Sequence, residues 1–337
     1  MSEDLVSVVC VNWNGEKHIR RTIDSLLNQS YSALEIIIVD NNSKDNSVRL
    51  IKENYPQVIL IENKINSGWP AGLNTGIKKS RGEYIVSLNN DAWLDKMCIG
   101  EMVRAVNKDK SYGSCAAKIC LDKDKIEVAG VKIYIDGLSC ARGRLQSQEK
   151  FEEEEEVFCA SGCCGLYKKE MIDKIGLYEE RFFLYGEDTE FGWRHQLAGW
   201  KCIYNPGAIV FHEHSASSGD YSHLKAFYVE RNRIWVALIY YPVLTLIFKV
   251  PFFSIYRYLY QIILSLTKKE GSLAKFRENN SLFSGVIVLI KTYLSAFMGV
   301  PYCLKKRQQI LKKNSNKKVE DLLGKYGCST KEIASYE

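Results

Sequence analysis

Apolar runs alternate with mixed, periodic segments through the first part of the chain. Leu5–Val11 (LVSVVCV) is a short β-rich run that ends in Asn-Trp-Asn-Gly. Lys17–Asn28 has helical spacing through Ile19, Ile23, Leu26 and Leu27. Glu35–Val39 (EIIIV) predicts a second buried strand, closed by the turn-rich DNNSKDNS. Val48–Tyr55 predicts a helix, Val58–Glu62 a third strand, Ala71–Lys79 a helix after Gly68-Trp69-Pro70, and Tyr84–Leu88 (YIVSL) a fourth strand. Strands and helices in this order at spacings of about 20–30 residues make βαβ units and a parallel sheet, an α/β class. Ligands of such sheets sit at the carboxyl ends of the strands. Three of those ends carry polar clusters, at Asn12–Asn14, Asp40–Asn42 and Asn89–Asp91.

The pattern then loosens. Residues 122–157 hold hairpin strands around Val131–Ile135 and the acidic run Glu152–Glu156, which reads as a solvated surface excursion or a mobile lid. The small-residue stretch Cys159–Tyr167 returns to the core. Glu187–Leu197 predicts a helix, and Ile209–Phe211 a strand leading into His212-Glu213-His214.

The last third changes character. Ile234–Phe248 is uncharged but broken by Pro242, Pro251–Leu266 is aromatic and apolar around Arg257, and Leu282–Leu304 is interrupted by Lys291 and Pro301. None reaches the roughly 20 clean apolar residues of a spanning helix. Aromatic residues flanked by Lys and Arg are the composition of helices lying in a membrane interface, the alternative being a helical subdomain. Charge supports a division at 221/222. Residues 1–221 carry 27 Lys+Arg against 33 Asp+Glu, a net −6, and residues 222–337 carry 19 against 7, a net +12. A basic half seeks anionic lipid or nucleic acid. The apolar segments and the polybasic stretches Lys305–Arg307 and Lys312–Lys318 favour lipid, and nothing calls for nucleic acid.

With 46% apolar and 26% charged residues the chain builds a sizeable core, and bulk disorder is excluded. Eleven cysteines in irregular spacing argue against a disulfide framework or zinc ribbon and predict small buried thiols in a reducing cytosol. Acidic residues and Asn among the first 15 positions make Leu5–Val11 a strand and not a signal peptide.

Six motifs in order carry a family resemblance: Val11-Asn12-Trp13-Asn14, Val39-Asp40-Asn41-Asn42-Ser43, the run from Asn66 through Gly68, Gly72 and Asn74 to Gly76, Leu88-Asn89-Asn90-Asp91, Gly186-Glu187-Asp188, and His212. Over residues 5–235 the chain resembles an inverting family 2 glycosyltransferase with a GT-A fold. Arg231-Asn232-Arg233 after a Phe/Tyr pair is similar to its rhamnosyltransferase-like branch, which often acts on lipid-linked or cell-surface polysaccharides. The implied organisation is a GT-A nucleotide-sugar domain at 1–221 and a helical, membrane-proximal region at 222–337. The implied location is peripheral, on the cytoplasmic face of a membrane.

Elementary chemistry runs beside the resemblance. A carboxylate at Asp40 can accept the imide N3–H of uracil or thymine, and Trp13 can offer its face to the base. Asp40 reads equally as a turn residue and Trp13 as core. Asn66 and Gly68 suit a tight loop feeding a helix N-terminus, where negative charge is favoured; Asn74 would face ligand or solvent. The resemblance implies nucleotide binding at Val11, Trp13, Asp40, Asn42, Asn66, Gly68 and Asn90. Asn89-Asn90-Asp91 stands where the family has its DxD motif, with Asn at the first acidic position. Asp91 and His212 are thereby the implied ligands of a divalent metal, Mn²⁺ or Mg²⁺, with His214 the rival to His212.

Inversion at an anomeric carbon needs a base for the acceptor hydroxyl. The family's base stands at Asp188, and Glu187 would orient the acceptor. Trp193, Trp200 and Gly162 are candidates to border the acceptor cleft. The expected reaction moves a sugar, first rhamnose from dTDP-rhamnose, to a hydroxyl of a saccharide or lipid-linked saccharide. UDP-hexose, UDP-hexosamine and UDP-galactofuranose are alternative donors. Asn89 also admits a catalytically inactive GT-A scaffold. A sugar-1-phosphate nucleotidyltransferase would want a Gly-rich signature with Arg and Lys that Val11–Lys17 lacks.

Overall fold

The computed structural model describes residues 3–121, 124–213, 222–267, 271–311 and 314–336. His214, the boundary residue Tyr221 and the first lysine of the second polybasic stretch, Lys312, lie outside them. The chain forms two compact units, one of Met1–Val131 and Ala141–Ser217, the other of Lys132–Cys140 and Ser218–Glu337.

The first unit is a mixed α/β sheet. The expected βαβ series is present: β1 (Val6–Asn12), α1 (Ile19–Leu27), β2 (Leu34–Asp40), α2 (Ser47–Asn54), β3 (Ile59–Glu62), α3 (Trp69–Lys79) and β4 (Tyr84–Asn89). It continues through β5 (Ala92–Leu94), α4 (Cys98–Val106), β6 (Tyr112–Cys120) and β7 (Ile126–Val128); the hairpin of β8 (Val131–Ile133) and β9 (Ser139–Ala141) falls mostly in the second unit, and the first resumes with β10 (Glu155–Val157), β11 (Cys164–Lys168), α5 (Lys169–Ile175), α6 (Glu187–Leu197) and β12 (Lys201–His212). The main sheet runs β10-β12-β6-β11-β4-β1-β2-β3. β1 pairs in parallel with β2 and β4, aligning Asn12 with Asp40 and Val11 with Asn89, so the polar strand ends meet along one edge. β11 lies antiparallel between β4 and β6.

β1 is buried along its whole length. Val11, expected at the nucleotide, belongs to this core with Val9, Val39 and Leu73. Its β-branched side chain fills the space against α3, where a Cβ on Gly72 would come 2.8 Å from Val11 Cγ1. Asn74 faces neither ligand nor solvent. It donates to the carbonyl of Tyr178 and to Glu180 Oε1, and accepts from the Tyr178 N–H.

The acidic run is also not a solvated lid. Glu152, Glu154 and Glu156 meet Lys118, Lys108 and Lys201 at 2.5–2.6 Å, and Glu155 pairs with Arg142. Strand β10 is thereby held against β12 by cations from four separate segments. All eleven cysteines are free thiols, ten buried and Cys328 partly so.

The second unit contains α7 (His223–Tyr240), a π-helical turn at Thr245–Lys249, α8 (Val250–Thr267), α9 (Ser272–Asn279), α10 (Leu282–Met298), α11 (Val300–Leu311), α12 (Asn316–Lys325) and α13 (Thr330–Tyr336). Its interior holds a charge-balanced network. Arg257 Nε and Nη2 donate to Asp136 Oδ2 and Glu230 Oε1, both at 2.9 Å, and Arg233 Nε donates to Glu230 Oε2 at 2.5 Å. Arg233 and Arg257 therefore each have an acid, without which their desolvation would be strongly unfavourable. Arg231 lies over the Trp235 ring at 4.3 Å. Arg307 does not face outward with Lys305 and Lys306; its Nη1 donates to the carbonyls of Leu238 and Tyr241 at the end of α7.

Candidate active site

Three strand ends of the first unit are tied by one amide. Asn12 Nδ2 donates to Asp40 Oδ1 at 2.8 Å and to Ser47 Oγ at 2.9 Å, and Asn12 Oδ1 accepts from Asn90 Nδ2 at 3.0 Å. Asn12 is fully buried, and these bonds satisfy both ends of its amide. Gly15 seals the arrangement, since a Cβ there would lie 2.2 Å from Asn12 Oδ1 and 2.4 Å from Asn90 Nδ2.

Asp40 closes its own turn. Oδ1 accepts from Ser43 Oγ at 2.5 Å and Oδ2 from the Ser43 N–H at 2.9 Å. Asn42 sits beside it in the left-handed region, φ 63°. Trp13, just past β1, is 39% exposed and offers its ring to a ligand.

Asn66 Oδ1 accepts the Gly68 N–H at 3.0 Å, making the expected tight loop before α3. Gly68 has φ +90°, and a Cβ there would lie 2.4 Å from the Phe183 carbonyl oxygen. That carbonyl accepts the Trp69 N–H at 2.9 Å. The loop after Phe182 is thus docked on the start of α3. It holds Phe183 and Tyr185 at φ 63°, followed by Gly186 at φ 77°. Two non-glycine residues in this region store strain, a feature concentrated at functional sites.

This loop delivers Glu187 and Asp188 to the first turn of α6. The Gly162 N–H donates to Asp188 Oδ2 at 3.2 Å and the Thr189 N–H to Asp188 Oδ1 at 2.6 Å. A Cβ on Gly162 would stand 3.7 Å from both Asp188 Oδ2 and Glu187 Oε1 and 3.8 Å from Trp69 Cη2. A side chain at 162 would therefore stand in contact with both acids and with Trp69.

The acids differ electrostatically. Burial, then the adjacent Asp188 charge, pushes Glu187 up to about 8, and among the described residues its Oε2 has no hydrogen-bond partner. Burial also raises Asp188, but the N–H groups of Gly162 and Thr189 oppose it. Near neutral pH Glu187 is a protonated acid, whereas at Asp188 the two N–H groups favour the charged form against its burial. Paired carboxyls with separated affinities are the arrangement of acid–base sites.

The raised value also carries a stability consequence. Unfolded Glu187 loses its proton near the ordinary carboxyl value and the folded one only near 8. Its contribution is therefore complete at low pH and is lost as pH rises through 8. Glu187→Gln should widen its melting-temperature advantage over wild type between pH 5 and pH 8.5, by about 2 °C or more. A constant difference across that range would contradict the assignment.

Asp91 and His212 come together as expected. His212 Nε2 lies 3.1 Å from Asp91 Oδ1, and His212 Nδ1 lies 2.8 Å from Glu127 Oε2. Burial disfavours a charge on His212, but Cys163, Asp91 and Glu127 outweigh it and hold its pKa well above the ordinary value. With its Nε2 proton displaced, the imidazole together with the Asp91 carboxylate would supply one nitrogen and one oxygen ligand to a borderline divalent cation. Among the described residues there is no group of three or more His, Cys, Asp or Glu able to hold a metal alone.

Asn89, in the first acidic position, accepts from Trp69 Nε1 at 3.0 Å. It joins the strand end to the loop carrying Glu187 and Asp188 instead of supplying a charge. Trp193 is no acceptor platform: it is fully buried and packs edge-on against Phe158, 5.2 Å between centroids. Position 193 faces the core side of α6, the face opposite the solvent. Trp200 is covered on one side by Lys174, whose Nζ lies 4.8 Å from the ring centroid.

Asn12, Trp69 and Glu127 are site residues absent from the sequence expectations. A polar Asn ending a wholly apolar strand signals a buried partner network. Glu127 carries no comparable mark.

Comparison with known proteins gives the family and the fold. The glycosyl transferase family 2 model matches residues 7–176. The N-acetylglucosaminyl-diphospho-decaprenol L-rhamnosyltransferase of Mycobacterium tuberculosis is 27% identical over 256 residues, 66% of this chain and 81% of that protein. The poly-β-1,6-N-acetyl-D-glucosamine synthase of Staphylococcus epidermidis is 23% identical over 209 residues, 61% of this chain and 49% of the synthase. Among solved structures, GalNAc-T7 with UDP, GalNAc and Mn²⁺ superposes with TM-score 0.58 at 18% identity, over 71% of this chain and 48% of that one. The mannosyltransferase PcManGT from Pyrobaculum calidifontis, with GDP-Man and Mn²⁺, gives 0.53 at 16% identity, over 94% of this chain and 88% of that one. These neighbours share the GT-A fold. By its family match and its fold, the chain belongs to glycosyl transferase family 2.

Proposed function

We propose that the chain is an inverting glycosyltransferase. It moves a sugar from a pyrimidine nucleoside diphosphate, first rhamnose from dTDP-rhamnose, to a hydroxyl of a saccharide or lipid-linked saccharide in cell-surface polysaccharide synthesis. One observation carries the reaction: the strained loop docked on α3 sets the Asp188 carboxylate, held by two backbone N–H groups, beside Gly162 and Glu187. The sugar is supported by the L-rhamnosyltransferase relative, whose named acceptor is a lipid diphosphate saccharide.

The acceptor hydroxyl approaches over Gly162 and passes its proton to Asp188 as its oxygen bonds to the anomeric carbon. The bond from that carbon to the diphosphate breaks on the opposite face, and its electron pair leaves with the diphosphate. Glu187, protonated, donates a hydrogen bond that orients the acceptor. Asp91 and His212 would hold a divalent cation, which when bound neutralises charge developing on the departing diphosphate. Trp13 stacks on the base. Asp40 Oδ2, bonded by a single N–H, keeps a lone pair for the N3–H of uracil or thymine.

Thermal shift against UDP, dTDP and GDP with Mn²⁺ tests the donor class. Wild type should be stabilised by UDP and dTDP, and Asp40→Asn should weaken both by about 10–100-fold, the weight of a hydrogen bond to a charged group. Tight GDP binding indifferent to Asp40 would refute the pyrimidine assignment.

A further inference from the structure

Two helices of the second unit are inside out. On α8 four of the five buried side chains are polar, Ser254, Arg257, Gln261 and Ser265, with Leu264 the fifth. The exposed ones are apolar, including Phe252 (63%), Ile255 (60%), Leu259 (53%), Ile263 (57%) and Leu266 (67%). At 3.6 residues per turn these sets occupy opposite faces. Arg257, which seemed in sequence to spoil an apolar helix, spends its charge inward on Asp136 and Glu230.

α10 repeats the inversion. Thr292 and Ala296 are buried, and Gly299 just beyond permits close approach to α7, since a Cβ there would stand 2.4 Å from Trp235. Phe283, Leu294, Phe297 and Met298 are 61–76% exposed. Water-facing helices show the reverse pattern. Contiguous exposed apolar surface marks an interaction site, and small residues on the inward face are the packing habit of helices whose other side meets lipid.

We propose that the outer faces of α8 and α10, with the intervening exposed aromatic and aliphatic side chains, lie in one leaflet of a bilayer with anionic headgroups. Charge selects this occupant over a second copy of the chain. Residues 222–337 carry a net +12, and Lys249 and Lys291 stand exposed beside these faces. Joining two copies would bring like charges together, whereas anionic headgroups neutralise them. No single described helix is long and apolar enough to cross a bilayer, and the pair Phe283–Met298 and Val300–Ile310 bends by 52° between its parts. A helix lying along the interface needs neither the length nor the straightness of a span. The inference concerns the second unit alone and holds whichever sugar is transferred.

Flotation of the full chain with phosphatidylcholine vesicles, with and without one-quarter phosphatidylglycerol, tests it. Wild type should float with the mixed vesicles, less with the neutral ones, and remain partly bound in 1 M salt, because apolar insertion is not screened. Leu259→Glu combined with Ile290→Glu should lose binding by at least about tenfold while keeping the wild-type melting temperature and nucleotide shift. Lys249→Glu combined with Lys291→Glu should weaken binding to the anionic vesicles by about tenfold or more and leave the neutral ones unchanged. Wild type that stays at the bottom with both vesicle types overturns the proposal. So does a vesicle-indifferent dimer that Leu259→Glu and Ile290→Glu split into monomers. A chain that floats but binds no nucleotide leaves this inference standing and removes the donor reading.

Discussion

Asp188→Asn should turn over about 10²–10⁴-fold more slowly than wild type, the usual weight of general-base catalysis. The substitution preserves shape and keeps an oxygen to accept from the Gly162 or Thr189 N–H, so α6 and its strained approach should stay in place. It removes the proton acceptor. The loss should therefore fall on kcat, with the nucleotide-induced thermal shift retained, because an interaction used only in the transition state leaves ground-state binding unchanged. The neighbouring acid should behave differently. Glu187→Gln retains a donor for the acceptor hydroxyl, and its defect should be the smaller and appear chiefly in acceptor KM. Wild-type turnover by Asp188→Asn would remove Asp188 from the mechanism.

Asp91→Ala should abolish Mn²⁺-dependent donor binding. The variant deletes the carboxylate of the pair and leaves His212 its bond to Glu127. Altering an outer-shell partner costs about 10–100-fold in metal affinity, and loss of a direct carboxylate ligand should exceed that. His212→Ala should weaken the same binding, and Glu127→Gln should do so within the outer-shell range by loosening the imidazole. Titration of Mn²⁺ by its own relaxation signal reads all three without turnover. Donor binding that persists in EDTA would mean that Asp91 has another task.

The parallel half of the sheet was legible because β1, β2 and β4 are unbroken apolar runs ending in polar clusters. The other half was not. β6 (YGSCAAKIC) is built of small residues with low strand preference. β12 contains Pro206 and Gly207, which read as a break; the structure accommodates them in a register shift between Asn205 and Ile209. Only its last turn of sequence, Ile209–Phe211, looked like strand. The partners of Glu152–Glu156 come from positions up to 50 residues away in sequence, so their pairing has no local mark.

Site residues followed the same rule. Asp188, Asp91 and His212 lie at element ends, where motif order points to them. Glu127 lies in the three-residue strand β7, too short to show a period in sequence, and gains its meaning from His212, 85 residues on. Trp193 misled because a Trp one turn beyond two acids suggests a sugar platform, while the helix turns that position into the core. In the second unit, interruption by Arg257 and Lys291 concealed two uniformly apolar faces, since a linear window cannot tell an inward charge from an outward one.

The most direct measurement is the configuration at the anomeric carbon of the transferred sugar. Proton NMR of the product formed from dTDP-rhamnose or the UDP-sugar that gives the larger thermal shift, recorded before any mutarotation, reports it. A single base at Asp188 acting on the face opposite the diphosphate predicts the anomer inverted relative to the donor. Retention of the donor configuration would contradict the account, because it requires a second displacement through a covalent intermediate, which a single base at Asp188 does not supply.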